Sequence, residues 1–113
     1  MLICEDEPFI ALDLAASVEE AGGRVVGPAA SIAEAEHLLE TATVHGAILD
    51  VHLSDGEVTP VAERLIEAGI PVIIQTGVGL PVILRDRYPE LQAYQKPVPA
   101  QQLVEHLAKL LPR

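Results

Sequence analysis

A chain of 113 residues is long enough for one domain with one hydrophobic core, and too short for two. Half of it is apolar, which excludes disorder, and with Phe9, Tyr88 and Tyr94 as the whole aromatic set the core must be built from Leu, Ile, Val and Ala. Seventeen acids against seven basic residues give a formal charge of −10, which argues against direct nucleic-acid binding. The single Cys4 excludes an internal disulfide and fits a reducing compartment. No apolar run approaches the ~20 residues of a membrane span, and the N-terminus lacks the pattern of a signal peptide, so a cytoplasmic protein without membrane contact is expected.

Short apolar runs alternate with longer amphipathic ones. Leu2 to Cys4 reads as a first strand. Pro8 to Ala21 follows as a helix, with Ile10, Leu14, Val18 and Ala21 on one face, Pro8 in its first turn and Gly22-Gly23 as its stop. Arg24 to Gly27 is a second β-like run. Ser31-Ile-Ala-Glu34 is a capping box that opens a helix to about Thr41. Ala47 to Leu49 is the third strand. A loop with Ser54-Asp55-Gly56 leads to a helix ending near Ala68, with Gly69 as stop. Val72 to Gln75 is the fourth strand, and residues 80–88 suggest one short helix after Pro81. Gln92 to Gln95 is a weak fifth strand, and Pro99 to Leu111 a last helix with Leu103, Leu107, Leu110 and Leu111 inward. Five β-α repeats imply an α/β fold: a doubly wound five-stranded parallel sheet of the flavodoxin type, strand order 2-1-3-4-5, in a single domain over residues 1–113.

In such a sheet every carboxyl end lies along one edge, where open α/β sheets bind ligands. The first strand runs into Glu5-Asp6, the third ends at Asp50, the fourth at Thr76 and the fifth at Lys96. Each has an ordinary alternative. Glu5 and Asp6 can cap a helix, Asp50 and Thr76 can sit in turns, and Lys96 can be a surface lysine. Their convergence is what argues for chemistry. Two unit charges 4 Å apart repel by about 4 kcal/mol at an effective dielectric of 20, and a hard cation with oxygen ligands removes that penalty, Mg²⁺ being the usual choice beside phosphates. An aspartate can then act as nucleophile toward phosphorus, with lysine and metal neutralising charge and a threonine hydroxyl holding a phosphoryl oxygen.

The stretches Ile3-Cys-Glu-Asp-Glu-Pro8, Ala47-Ile-Leu-Asp-Val-His-Leu53, Ile74-Gln-Thr-Gly77 and Gln95-Lys-Pro-Val98 resemble, in order and spacing, the four motif segments of bacterial response-regulator receiver domains. The resemblance spans essentially the whole chain. It implies that Glu5 and Asp6 are the metal-binding acids, and that Asp50 is the phosphoacceptor and a metal ligand. It also implies that the backbone carbonyl of His52 completes the metal site, that Thr76 is the switch hydroxyl and that Lys96 binds the phosphoryl group. It further implies Mg²⁺ as cofactor, a sensor histidine kinase or phosphotransfer protein as partner, a downstream protein target, and a cis Lys96-Pro97 bond; it admits a homodimer. Such a chain is not an enzyme, since it catalyses only its own phosphorylation and dephosphorylation. The stretches around Asp50, Pro60 and Gly69 are also similar to single-domain receivers with a Phe-Ala-Thr-Gly-Tyr motif. Here that motif reads Ile74-Gln75-Thr76-Gly77-Val78, and the usual aromatic position three before the lysine is Ala93.

Two other classes remain open to the sequence: a degenerate receiver that only binds proteins, and a phosphatase with an aspartyl nucleophile. The latter needs a second acid two residues after the nucleophile, where this chain has His52. His37, His45 and His106 form no zinc pattern and read as solvent-exposed.

Overall fold

Strand β1 (Leu2–Cys4) is buried on both faces, as its uninterrupted apolar run requires of a central parallel strand. The structure, a computed structural model, describes residues 1–111. After β1 the chain forms α1 (Pro8–Glu20), β2 (Val26–Ala29), α2 (Ile32–Thr41), β3 (Ala47–Asp50), a hairpin of β4 (His52–Leu53) and β5 (Gly56–Glu57), α3 (Thr59–Glu67), β6 (Val72–Thr76), α4 (Val82–Arg87), β7 (Gln92–Gln95) and α5 (Ala100–Leu110). The parallel sheet runs β2-β1-β3-β6-β7, which is the expected 2-1-3-4-5 when its five strands are counted in chain order. This is the flavodoxin-like arrangement.

Strand alternation divides the core into two layers. Leu2, Leu49, Val72 and Ile74 meet Ala35, Val61, Leu65 and Leu84 from α2, α3 and α4. Ile3, Ile48 and Ile73 meet Leu14 and Val18 of α1 and Leu103, Val104 and Leu107 of α5. Leu110, expected inside, lies outside this layer and is 39% exposed. Gly22, at φ +86, lets the chain leave α1, and Gly23 then donates its N–H to Val18 O at 2.9 Å.

The second strand lies later than the run Arg24–Gly27. Leu2 pairs with Val26 and Cys4 with Ala29, so two steps of β1 face three of β2, and the extra residue is a bulge at Gly27-Pro28. Proline survives there because β2 is an edge strand. Gly27 sits at φ +96, and a Cβ on it would come within 2.7 Å of Ala29 N and 3.1 Å of Ile3 O. The capping box is real on one side: Ser31 Oγ accepts from Glu34 N at 3.0 Å. The hairpin β4–β5 is an addition the sequence did not suggest.

Candidate phosphoacceptor site

The register carries four side chains to one edge of the sheet. Cys4 is level with Leu49, Asp50 with Gln75, and Thr76 with Gln95, so Glu5, Asp50, Thr76 and Lys96 all leave the carboxyl ends of neighbouring strands. A backbone bond from Lys96 N to Thr76 O (2.8 Å) fixes where the lysine starts. The Lys96-Pro97 peptide is cis, as expected, and so is Gly27-Pro28.

Lys96 Nζ donates to Asp50 Oδ2 at 2.8 Å and to Glu5 Oε1 at 3.1 Å, bridging two buried acids. Exposed Asp6 completes the group: one carboxylate oxygen each of Glu5, Asp6 and Asp50 lie within 4.8 Å of one another. His52 stands two residues beyond Asp50 in β4, with its side chain exposed.

The charges perturb one another in the directions this geometry requires. Burial, and next the closeness of the Asp50 carboxyl, push the Glu5 carboxyl up to about 7, against the opposing donors Glu7 N and Lys96. Burial pushes the Lys96 ammonium down, but its hydrogen bonds to Asp50 and Glu5 outweigh that and hold it above its ordinary range. Such a set of hard oxygens, with one acid too confined to ionise freely, is what a small divalent cation relieves. The residues therefore fit Mg²⁺.

Thr76 comes to the same edge, but its hydroxyl is engaged in its own loop. Oγ1 accepts from Val78 N (3.1 Å) and Gly79 N (3.0 Å) and donates to Gly79 O (3.1 Å). Tyr94 is anchored elsewhere: its hydroxyl lies 2.6 Å from His106 Nδ1 on α5 and 2.9 Å from Gln92 Oε1. His106 is accordingly half-buried, contrary to the exposed reading, whereas His37 and His45 are exposed as expected.

One residue at the site escaped the sequence reading. Gln75 is 2% exposed, and its Nε2 donates to Glu5 Oε1 at 3.1 Å. The signal was a polar residue inside the buried run Val-Ile-Ile-Gln-Thr, where a central parallel strand calls for apolar side chains on both faces.

Fold and site together define a doubly wound α/β domain with an aspartate, two further acids and a lysine at the carboxyl edge of its sheet. No family model matches the chain. Solved and curated proteins do. SdrG from Sphingomonas melonis Fr1 is 34% identical, with a TM-score of 0.78 over 96% of this chain and 92% of that one. The response regulator PhyR from Brucella abortus is 32% identical, with a TM-score of 0.75 over 97% of this chain and 46% of that one. The phyllosphere-induced regulator PhyR of Methylorubrum extorquens is 40% identical over 80 residues, 68% of this chain. The chain belongs to the response-regulator receiver domains of two-component signalling. It spans 30% of the length of the curated regulator it matches. Among the described residues no helix is long and apolar enough to cross a membrane.

Proposed function

We propose that the chain is a phosphorylation switch whose phosphate is carried on Asp50. The observation that carries this reading is the Lys96 bridge between Asp50 and Glu5, with the Asp6 carboxylate within 4.8 Å of those of Glu5 and Asp50. A carboxylate oxygen of Asp50 attacks the phosphorus of a phosphohistidine on a sensor histidine kinase or phosphotransfer protein. The new P–O bond forms as the P–N bond breaks, and the departing electron pair stays on the imidazole. Hydrolysis later returns the carboxylate and inorganic phosphate. Lys96, already against Asp50, turns its ammonium to the phosphoryl oxygens. Thr76 exchanges its loop hydrogen bonds for one to the same group. Glu5, Asp6, Asp50 and the His52 backbone carbonyl would hold Mg²⁺, which supplies neutralisation of phosphoryl charge.

The chain turns over no external substrate, because His52 stands where a phosphatase would carry its general acid. A cytoplasmic location goes with the kinase partner, and the output is a change of protein-interaction surface. The decisive test is incubation with a small phosphodonor and Mg²⁺, read by intact mass. One added phosphoryl group is expected, absent without Mg²⁺ and in Asp50→Asn. An Asn variant that labels as the parent does would overturn the assignment, and a chain that takes no phosphate would leave a pure binding module.

A further inference from the structure

Gln75 is neutral and buried, and unlike Thr76 it spends its side chain on one of the site's acids. It lies on β6 beside Asp50 of β3 and reaches across β3 to Glu5, which follows β1. The hydrogen bonds around Glu5 can be counted. A carboxylate oxygen has two lone pairs. Glu5 Oε1 accepts from Gln75 Nε2 and from Lys96 Nζ, both at 3.1 Å, so both of its lone pairs are used. Oε2 accepts the N–H of Glu7 at 3.2 Å and keeps a lone pair. The carboxylate is thus pinned by its inner oxygen and offers the other.

Resting on the reading of Glu5 as a metal ligand, we propose that Gln75 is a positioning residue for the cation. It holds the Glu5 carboxylate in the one orientation that offers Oε2 to Mg²⁺ together with Asp6 and Asp50. Lys96 cannot do this alone. Its ammonium also serves Asp50, and the proposed reaction draws it to the phosphoryl group, whereas the amide of Gln75 is hydrogen-bonded to Glu5 and not to Asp50. A strand residue is well suited to the task, because its backbone is fixed by the sheet on both sides. Glu5 reaches the site through a flexible side chain, and without the amide it would sample rotamers that take its oxygen off the cation.

The test compares the full chain with Gln75→Met and Gln75→Leu, which keep the bulk and remove the donor. Mg²⁺ is titrated into each, and amide cross-peaks of the folded protein are followed by NMR, so that only native molecules are counted. Hydrogen-bond partners of metal ligands are worth roughly ten-fold to a hundred-fold in affinity, and a Kd for Mg²⁺ at least about ten-fold weaker is expected in both variants. At saturating Mg²⁺ the rate of phosphorylation by a small phosphodonor should return to within about two-fold of the parent, because the defect lies in holding the cation rather than in attack by Asp50. Parent and variants that bind Mg²⁺ equally would overturn the role of Gln75 alone. A parent that binds no Mg²⁺ would overturn the metal site itself. If neither variant folds, Gln75 is a structural residue and the proposal falls.

Discussion

Replacing Glu5 with glutamine is expected to flatten the pH dependence of stability in the metal-free protein. Glu5 is 2% exposed, and burial followed by its contact with Asp50 moves its carboxyl from 4.5 to about 7. An acid that ionises less readily in the folded chain than in the unfolded one makes the folded chain hold the extra proton. Stability from this group is greatest below the unfolded value of 4.5, falls as the pH climbs, and is fully lost above about 7. Allowing for solvent at the rim of the site, the loss is on the order of 1–3 kcal/mol. Glutamine cannot ionise, so its curve lacks that fall. The assay is urea unfolding in the presence of a chelator at several values between about pH 4 and pH 8, for both proteins. Parallel curves for parent and variant would refute the reasoning, because they would mean that Glu5 ionises as freely folded as unfolded.

Gly27→Ala should cost about 2–4 kcal/mol in urea unfolding, since it combines a left-handed φ with a Cβ pressed on the backbone of Ala29. Thr76→Val removes the acceptor that Val78 N and Gly79 N share, so amide exchange at those two positions should accelerate while exchange in β3 stays unchanged. A bound phosphoryl mimic should alter exchange in the same loop and leave Tyr94 held by His106; reorientation of Tyr94 with a silent loop would count against this. Asp55→Ala should lower the urea midpoint above the ordinary carboxylate range and matter less as the pH falls. The N–H of Ile32 and then that of Ala33 hold the Asp55 carboxyl low, so its contribution exists only while it is ionised.

The strand order and the meeting of Glu5, Asp6, Asp50 and Lys96 were legible because both follow from alternation of short and long runs in a parallel sheet. Three things were not. The bulge in β2 hides the strand, since Gly27-Pro28 is a turn signal in isolation and only the pairing with Leu2 and Cys4 makes it a strand. Two-residue strands such as β4 and β5 have too few positions to show a period. The link from His106 to Tyr94 and that from Gln75 to Glu5 join residues 12 and 70 apart, and no local pattern announces a contact of that kind. Thr76 was placed at the right edge, but the direction of its hydroxyl depends on the turn that follows it.

The hairpin after Asp50 is fastened to a helix that precedes it. Asp55 Oδ1 accepts from Ile32 N at 2.6 Å and Oδ2 from Ala33 N at 3.2 Å, while Ser54 N donates to Ala30 O at 3.1 Å. Surface loops ordinarily tolerate added or deleted residues. This one has less of that freedom, because a change of one residue between Asp50 and Asp55 would carry the carboxylate off the end of α2 and give up two charge-assisted bonds to water. The length of the segment after Asp50 is therefore dictated by a helix 23 residues earlier in the chain. Grafting another receiver's loop onto this scaffold would require its acidic residue to arrive in the same register.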